Sequence, residues 1–95
     1  MAEPHDRAAR RIANRLGGDY DSTRSPDVIS KDSRVEVKTY AAEIPKALDQ
    51  LGRSVKKKYV ALPAGEHKDA KRQLEGTGVG LMDWNGNVRK RPRRL

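Results

Sequence analysis

The sequence predicts a small α/β domain, in which helices pack on a sheet. Apolar residues recur at helical spacing near the N-terminus and again after Ile44, and they alternate with polar residues over 34–39. A chain of 95 residues makes one domain, near the lower end of what folds alone. The chain has no cysteine, so aliphatic side chains have to supply its core. A core this small favours dimerisation, because a shared face buries additional apolar area.

The first helix is predicted over residues 4–17. Pro4 suits the first helical turn, and Gly17-Gly18 supplies the left-handed end that helices favour. One apolar stripe contains Ala8, Ala9, Ile12, Ala13 and Leu16. A short extended piece over 19–21 is expected to follow this helix.

Two strands and a second helix are predicted next. The segment 26–30 begins with a proline, which a strand accepts at its first position, and 34–39 alternates strictly. Because only 31–33 separates them, a hairpin is the expected connection. The second helix is expected to start at Pro45 and to end at Lys56-Lys57-Lys58, where cations complement the helix dipole. Its apolar seam contains Ile44, Leu48, Leu51 and Val55.

The C-terminal third predicts a buried strand over 59–62, a helix over 67–74 and a strand over 78–84. Asn85-Gly86 is a strong signal for a two-residue hairpin turn, after which 87–89 returns beside the strand. The predicted domain therefore spans 1–88, and 89–95 is a basic tail. The nearby glycines do not form a phosphate loop, because no Lys-Ser or Lys-Thr pair follows; they indicate close backbone packing at a strand entry. These glycines are Gly76, Gly78 and Gly80.

The charge of the chain predicts a polyanionic partner. Its 21 Lys and Arg against 13 Asp and Glu give a net charge of +8, which favours nucleic acid. Binding to RNA within a larger particle is the alternative that composition leaves open. No apolar run reaches the roughly 20 residues of a membrane span, and no secretory signal is visible, so an intracellular protein is expected. The candidate contacts to nucleic acid are Arg10, Arg11, Arg24, Lys31, Arg34, Lys57, Arg89 and Arg91.

The candidate site depends on the register of the first hairpin. If paired positions sum to 63, Asp27 lies opposite Glu36 with Cβ atoms about 4.5–5.5 Å apart. Two like charges at that separation repel unless a divalent cation compensates them. Lys38 lies on the same face, and the Val37 carbonyl offers a further oxygen ligand. Asp27, Glu36 and Lys38 are therefore the candidate catalytic residues, with Mg²⁺ or Mn²⁺ as cofactor.

Pro26-Asp27, followed after eight residues by Glu36-Val37-Lys38, resembles the motif of the PD-(D/E)xK nuclease superfamily, which includes restriction enzymes and archaeal Holliday-junction resolvases. The resemblance implies an αβββαβ core, with a mixed central sheet flanked by helices. It also implies a homodimeric, metal-dependent DNA endonuclease. Gln50 matches the polar residue of the family's next helix, and Glu3 or Asp6 matches its acidic residue on the first helix. So short a chain favours cutting directed by DNA structure, at junctions, branches or duplexes.

Simpler structural roles remain open for the same residues. Glu36 and Lys38 can form the solvent-exposed face of an amphipathic strand, and the carboxylate of Asp27 can cap a backbone amide in a turn. His5 and His67 are expected to be solvated, and Trp84 to be a lid on the core or a dimer contact. In function, the alternative is a binding module on the same fold without turnover.

Overall fold

A computed structural model of the protein describes residues 4–21, 23, 27–53 and 56–93, and these residues form an α+β fold with a mixed sheet. The helices are α1 (Pro4–Leu16), α2 (Ile44–Leu51) and α3 (His67–Leu74). The strands are β1 (Asp19–Tyr20), β2 (Val28–Ile29), β3 (Ser33–Val37), β4 (Lys57–Ala61), β5 (Gly80–Met82) and β6 (Val88–Lys90). In the described parts of the chain, none of the helices is both long and apolar enough to span a bilayer.

The order of the strands in the sheet is the order of the strands in the chain. β1, β2 and β3 are antiparallel neighbours, β3, β4 and β5 are parallel, and β6 returns antiparallel to β5. The parallel connections pass through α2 and α3, as parallel neighbours require. The carboxyl ends of β3, β4 and β5 consequently lie together. We call this the carboxyl end of the sheet; it is where Lys38, Leu62 and Asp83 follow their strands.

Helices cover both faces of the sheet. The buried residues of α1 pack with Val35, Val37 and Ala61 on one face. Those of α2 and α3 pack with Val60 and Leu81 on the other face. β3 is therefore buried on both sides, whereas strict alternation predicts one wet face. The difference arises because α2 covers the face that carries the polar residues of this strand.

Several predicted elements are confirmed. The first helix ends one residue earlier than predicted, and α3 has its predicted bounds. The short extended piece after α1 is strand β1. Val28 pairs with Val35 and Ile29 with Arg34, so the first hairpin has the register in which paired positions sum to 63.

The predicted C-terminal half of the second helix is wrong. α2 ends at Leu51, and Gly52 follows with φ of 60°, the left-handed conformation that ends a helix. Lys57 and Lys58 belong instead to β4, where Lys57 pairs with Ser33. Val55, predicted as part of the helical seam, lies outside the described residues.

The predicted two-residue turn between the last strands is also wrong, because a longer loop connects β5 and β6. Oδ1 of Asp83 accepts hydrogen bonds from the backbone N–H groups of Asn85 (2.8 Å) and Asn87 (3.0 Å). These bonds lower the pKa of Asp83 although burial raises it, and they stabilise the wider loop. The predicted return over 87–89 is confirmed, because β6 pairs antiparallel with β5; it includes Arg89, the first residue of the predicted tail.

Candidate active site

The carboxylates of Asp27 and Glu36 each accept a backbone hydrogen bond from the first hairpin, at the carboxyl end of the sheet. The backbone N–H of Asp27 donates to Oε1 of Glu36 (2.8 Å), and the N–H of Val37 donates to Oδ2 of Asp27 (3.0 Å). These two bonds continue the hairpin register by one further pair. The structure thus brings together the two predicted carboxylates and the backbone of Val37, which the sequence analysis proposes as metal ligands.

Glu36 is a buried acid, with 1% of its surface exposed. Burial, followed by the negative charge of Asp27, raises the pKa of Glu36. Nζ of Lys38 lies 3.5 Å from Oε2 of Glu36, and its charge acts in the opposite direction. Lys38 therefore joins the site as predicted, but Glu36 is not on a wet face. A buried carboxylate beside a second carboxylate is an arrangement that a bound cation would stabilise.

His5 joins the site from α1, where the sequence analysis expects a solvated side chain. Its Nε2 lies 2.6 Å from the carbonyl oxygen of Val37 and 3.4 Å from Oδ2 of Asp27. The imidazole is half-buried, so the expectation for His5 is wrong. A lone histidine near a terminus gives little signal. The neighbouring Asp6 is the only local hint, since an adjacent carboxylate can orient an imidazole.

Asp6 supports His5 rather than pointing at the two carboxylates. Its Oδ1 lies 3.4 Å from Nδ1 of His5 and accepts a hydrogen bond of 2.5 Å from the hydroxyl of Tyr20. The bond from Tyr20, then that from His5, lowers the pKa of Asp6. Burial and the bond to Asp6 raise the pKa of Tyr20 to about 12. At neutral pH the tyrosine is therefore a stable donor and Asp6 a stable acceptor.

The backbone that follows Lys38 is held by distant side chains. Nε1 of Trp84 donates to the carbonyl of Lys38 (3.0 Å), and Oε1 of Glu66 accepts from the N–H of Ala41 (2.8 Å). Trp84 also packs against the core on the α1 face, in agreement with its prediction as a lid. Tyr40, which lies between Lys38 and Ala41 in the chain, has 60% of its surface exposed. The lysine is thus anchored at the end of β3, next to an exposed aromatic ring.

The other predicted site residues are distributed more widely. Gln50 is half-buried in α2, and its contact with the catalytic residues stays a prediction. Glu3 and Arg24 lie outside the described residues.

The candidate nucleic-acid contacts do not form one patch. Lys31 and Lys57 are exposed at the amino end of β3, because Lys57 pairs with Ser33. Arg34 donates to the carbonyl of Arg53 beyond α2 (3.4 Å). These cations therefore lie toward the end of the sheet opposite the two carboxylates.

Other predicted cations lie nearer the site. Arg11 donates to the side chain of Asn85 (2.9 Å) in the β5–β6 loop, and Arg89 to Asp83 (3.2 Å) in the same loop. Arg10 is exposed on α1 with its guanidinium 6.0 Å from the centre of the Tyr20 ring. Arg91 is also exposed, but it follows Lys90, which pairs with Leu81, and so it lies toward the amino end of β5. Positive charge thus flanks the carboxyl end of the sheet as well.

Within the described ranges, no group of three or more His, Cys, Asp or Glu side chains is arranged to hold a metal ion. The donors that do converge are the side chains of Asp27 and His5 and the carbonyl of Val37, with Glu36 adjacent. One of these donors is a backbone oxygen. The carboxylate and carbonyl oxygens in this set are ligands that hard divalent cations prefer, so these oxygens fit Mg²⁺ or Mn²⁺.

Glu36→Gln is expected to raise the free energy of unfolding at neutral pH. The folded-state pKa of Glu36 lies above its ordinary value of 4.5, so ionised Glu36 disfavours folding. Between the pKa of Glu36 in the unfolded state and its higher pKa in the folded state, the folded state binds more protons. The free energy of unfolding of the wild type therefore falls as pH rises through this range. The difference in free energy of unfolding between the variant and the wild type should therefore shrink as pH falls towards 4.5. Urea titrations over this range would measure it, with Glu75→Gln, at an exposed position, as the control; equal advantage at every pH would contradict the expectation.

The chain matches no protein-family model, and neither a curated protein nor a solved structure matches it.

Proposed function

We propose that this protein is a divalent-metal-dependent endonuclease that hydrolyses phosphodiester bonds of DNA. The observation that carries the proposal is the convergence of Asp27, buried Glu36 and Lys38 at the end of one hairpin. Phosphodiester hydrolysis needs an activated water, neutralised phosphate charge and help for the leaving oxygen, and two carboxylates with an ammonium group can serve these needs. The motif Pro26-Asp27…Glu36-Val37-Lys38 and the observed helix, strand and hairpin order are in keeping with a restriction-endonuclease-like core.

Asp27, Glu36 and the carbonyl of Val37 would hold Mg²⁺ or Mn²⁺. When bound, such a cation lowers the pKa of a coordinated water and neutralises phosphate charge. The backbone N–H of Asp27 holds the carboxylate of Glu36, and the backbone N–H of Val37 holds the carboxylate of Asp27, so the carboxylate oxygens keep fixed positions. Lys38 places an ammonium group beside Glu36, where it can orient the attacking water or stabilise developing negative charge.

The proposed substrate is DNA, which the positive surface would bind through its phosphates. The net charge is +8, and exposed cations occur at both ends of β3. β3 and its flanks extend over several residues, each of which adds about 3.3 Å. A ligand that contacts the cations at both ends must therefore be longer than one phosphate group. A duplex, branch or junction offers phosphates over that length.

We also propose a homodimer, which would cut both strands. The large hydrophobic side chains that are exposed within the described residues are Tyr40 and Val88. A dimer interface formed by the described residues would therefore be mainly polar. Sedimentation velocity with and without DNA would measure the association.

A second candidate is a nucleic-acid-binding module without turnover. One observation favours it: Glu36 and Asp27 already have donors inside the protein. Oε1 of Glu36 accepts from Asp27 and Oε2 contacts Lys38, while Oδ2 of Asp27 accepts from Val37. A network satisfied in this way can stabilise the hairpin without any cation. The two candidates differ in whether DNA is cut.

Cleavage of labelled single-stranded, duplex and four-way-junction DNA tests the proposal. We expect cutting with Mg²⁺ or Mn²⁺ and none in EDTA, because the carboxylates need a cation to activate water. Binding in EDTA should persist and weaken as salt rises, since phosphate contacts release counterions. Salt-sensitive binding without cutting under either metal would reject the nuclease and leave the binding module.

A further inference from the structure

We propose that His5 is a ligand of the cation site and that the site therefore binds transition-metal cations in preference to Mg²⁺. The inference rests on the proposed function to the extent that Asp27 and the carbonyl of Val37 hold a cation. It adds a nitrogen donor from α1 to a site that the sequence motif describes through oxygen donors alone. It also names the class of cation that the site selects.

The positions of three atoms carry the proposal. Nε2 of His5 lies 2.6 Å from the carbonyl oxygen of Val37 and 3.4 Å from Oδ2 of Asp27. Metal–ligand bonds of about 2.0–2.2 Å place neighbouring ligands of an octahedral ion about 3 Å apart. The two observed separations lie on either side of this value. Without a cation, the shorter contact is a hydrogen bond that Nε2–H donates to the carbonyl of Val37. A cation that displaces this proton would find both separations within a few tenths of an ångström of the octahedral value.

The other side of the imidazole provides an independent observation. Histidines that bind metals almost always donate their second ring N–H to a carboxylate, a carbonyl or water, which fixes the ring and raises its basicity. Nδ1 of His5 faces Oδ1 of Asp6 at 3.4 Å. The hydroxyl of Tyr20 in turn donates to the same oxygen at 2.5 Å. Tyr20 and Asp6 thus form the outer support of His5, while Nε2 faces the proposed ligands.

The kind of donor determines the expected selectivity. Mg²⁺ prefers oxygen ligands and water, whereas imidazole nitrogen suits later divalent transition metals. Asp27 and Val37 supply oxygen, and His5 supplies nitrogen. The site should consequently bind Co²⁺ more tightly than Mg²⁺, and the difference should depend on His5.

Calorimetric titration of the full chain with Co²⁺ and with Mg²⁺, without DNA, tests the inference. For His5→Ala we expect Co²⁺ affinity to fall at least about tenfold, because loss of even an outer-shell partner costs that much. Mg²⁺ affinity should change little, and the visible spectrum of bound Co²⁺ should change when the nitrogen ligand is lost. Asp6→Asn should weaken Co²⁺ binding in the same direction.

His67→Ala is the matched control. Nε2 of His67 lies 2.7 Å from the carbonyl of Leu62, so this variant also removes an imidazole that contacts a backbone carbonyl at a strand end. It should leave both affinities unchanged. Circular dichroism of each variant checks that the fold is retained.

Unchanged or tighter Co²⁺ binding by folded His5→Ala would overturn the inference, as would a wild-type protein that binds Mg²⁺ but not Co²⁺. Cleavage assays on the same samples separate this result from the proposed function. Metal-dependent cutting together with a His5→Ala variant that binds Co²⁺ normally would reject the ligand and keep the nuclease. His5-dependent Co²⁺ binding without any cutting would keep the ligand and reject the nuclease.

Discussion

Asp27→Asn is expected to slow DNA cleavage at least about a thousandfold, equivalent to roughly 4 kcal/mol of lost transition-state stabilisation. The reason is that an amide replaces the carboxylate that would ligate the metal. Asparagine keeps an oxygen that can accept the N–H of Val37, so the hairpin should remain folded. Single-turnover cleavage with saturating enzyme measures the effect, and binding to DNA in EDTA should be unchanged or tighter because a negative charge is removed.

Asp32→Asn is the control for this variant. Asp32 is exposed beside Ser33 in the turn of the same hairpin, so its replacement removes the same charge away from the site. Its cleavage rate should stay close to that of the wild type. Cleavage by Asp27→Asn at the wild-type rate would rule out Asp27 as a metal ligand.

Gly80→Ala is expected to lower the free energy of unfolding by about 1–3 kcal/mol, as overpacking in a filled interior does. A Cβ atom at Gly80 would lie 2.7 Å from the carbonyl oxygen of Lys90 and 2.9 Å from the nitrogen of Pro92. Both are backbone atoms, so the C-terminal segment would have to move away from β5. Urea unfolding measures the loss.

Gly65→Ala provides the comparison for the second variant. A Cβ atom at Gly65 meets nothing within 4 Å, and its backbone is not left-handed, so alanine should be neutral or slightly stabilising. Equal stability of the two variants would contradict the close packing of β5 against β6. The glycines at the strand entry predict this packing, and the close approach of backbone atoms to Gly80 confirms it.

The sequence predicts elements well where a single period dominates. The helical stripe that includes Ile12 specifies α1, and strict alternation around Val35 specifies β3. The register of the first hairpin also follows from the short connection, and it brings Asp27 to Glu36. The core of the candidate site is therefore readable from one local segment.

The sequence predicts poorly where a side chain competes with a simple pattern. The carboxylate of Asp83 holds the amides of Asn85 and Asn87, which overrides the hairpin signal of Asn85-Gly86. The seam through Val55 suggests a longer helix, although Gly52 ends it. These outcomes depend on individual hydrogen bonds and backbone angles rather than on periodicity.

The position of His5 could not be predicted because it depends on how α1 docks. Its contacts with Asp27 and Val37 join residues more than twenty positions apart in the chain. Docking of α1 is decided by the apolar cluster on that face of the sheet, which contains Ile12 and Val28 among its buried members. The packing of this cluster thus determines which side chain of the first turn meets the carboxylates.

The agreement between chain order and sheet order has a consequence for how the protein folds. Every strand pairs with its immediate predecessor, so each pairing closes a loop no longer than one helix and its connections. Loop-closure entropy rises with loop length, and low contact order accelerates folding. The sheet can accordingly grow by successive additions from β1 to β6 as the chain leaves the ribosome, without waiting for a distant segment. Each pairing step thus costs little loop-closure entropy, which favours folding of a small chain that has few aromatic residues.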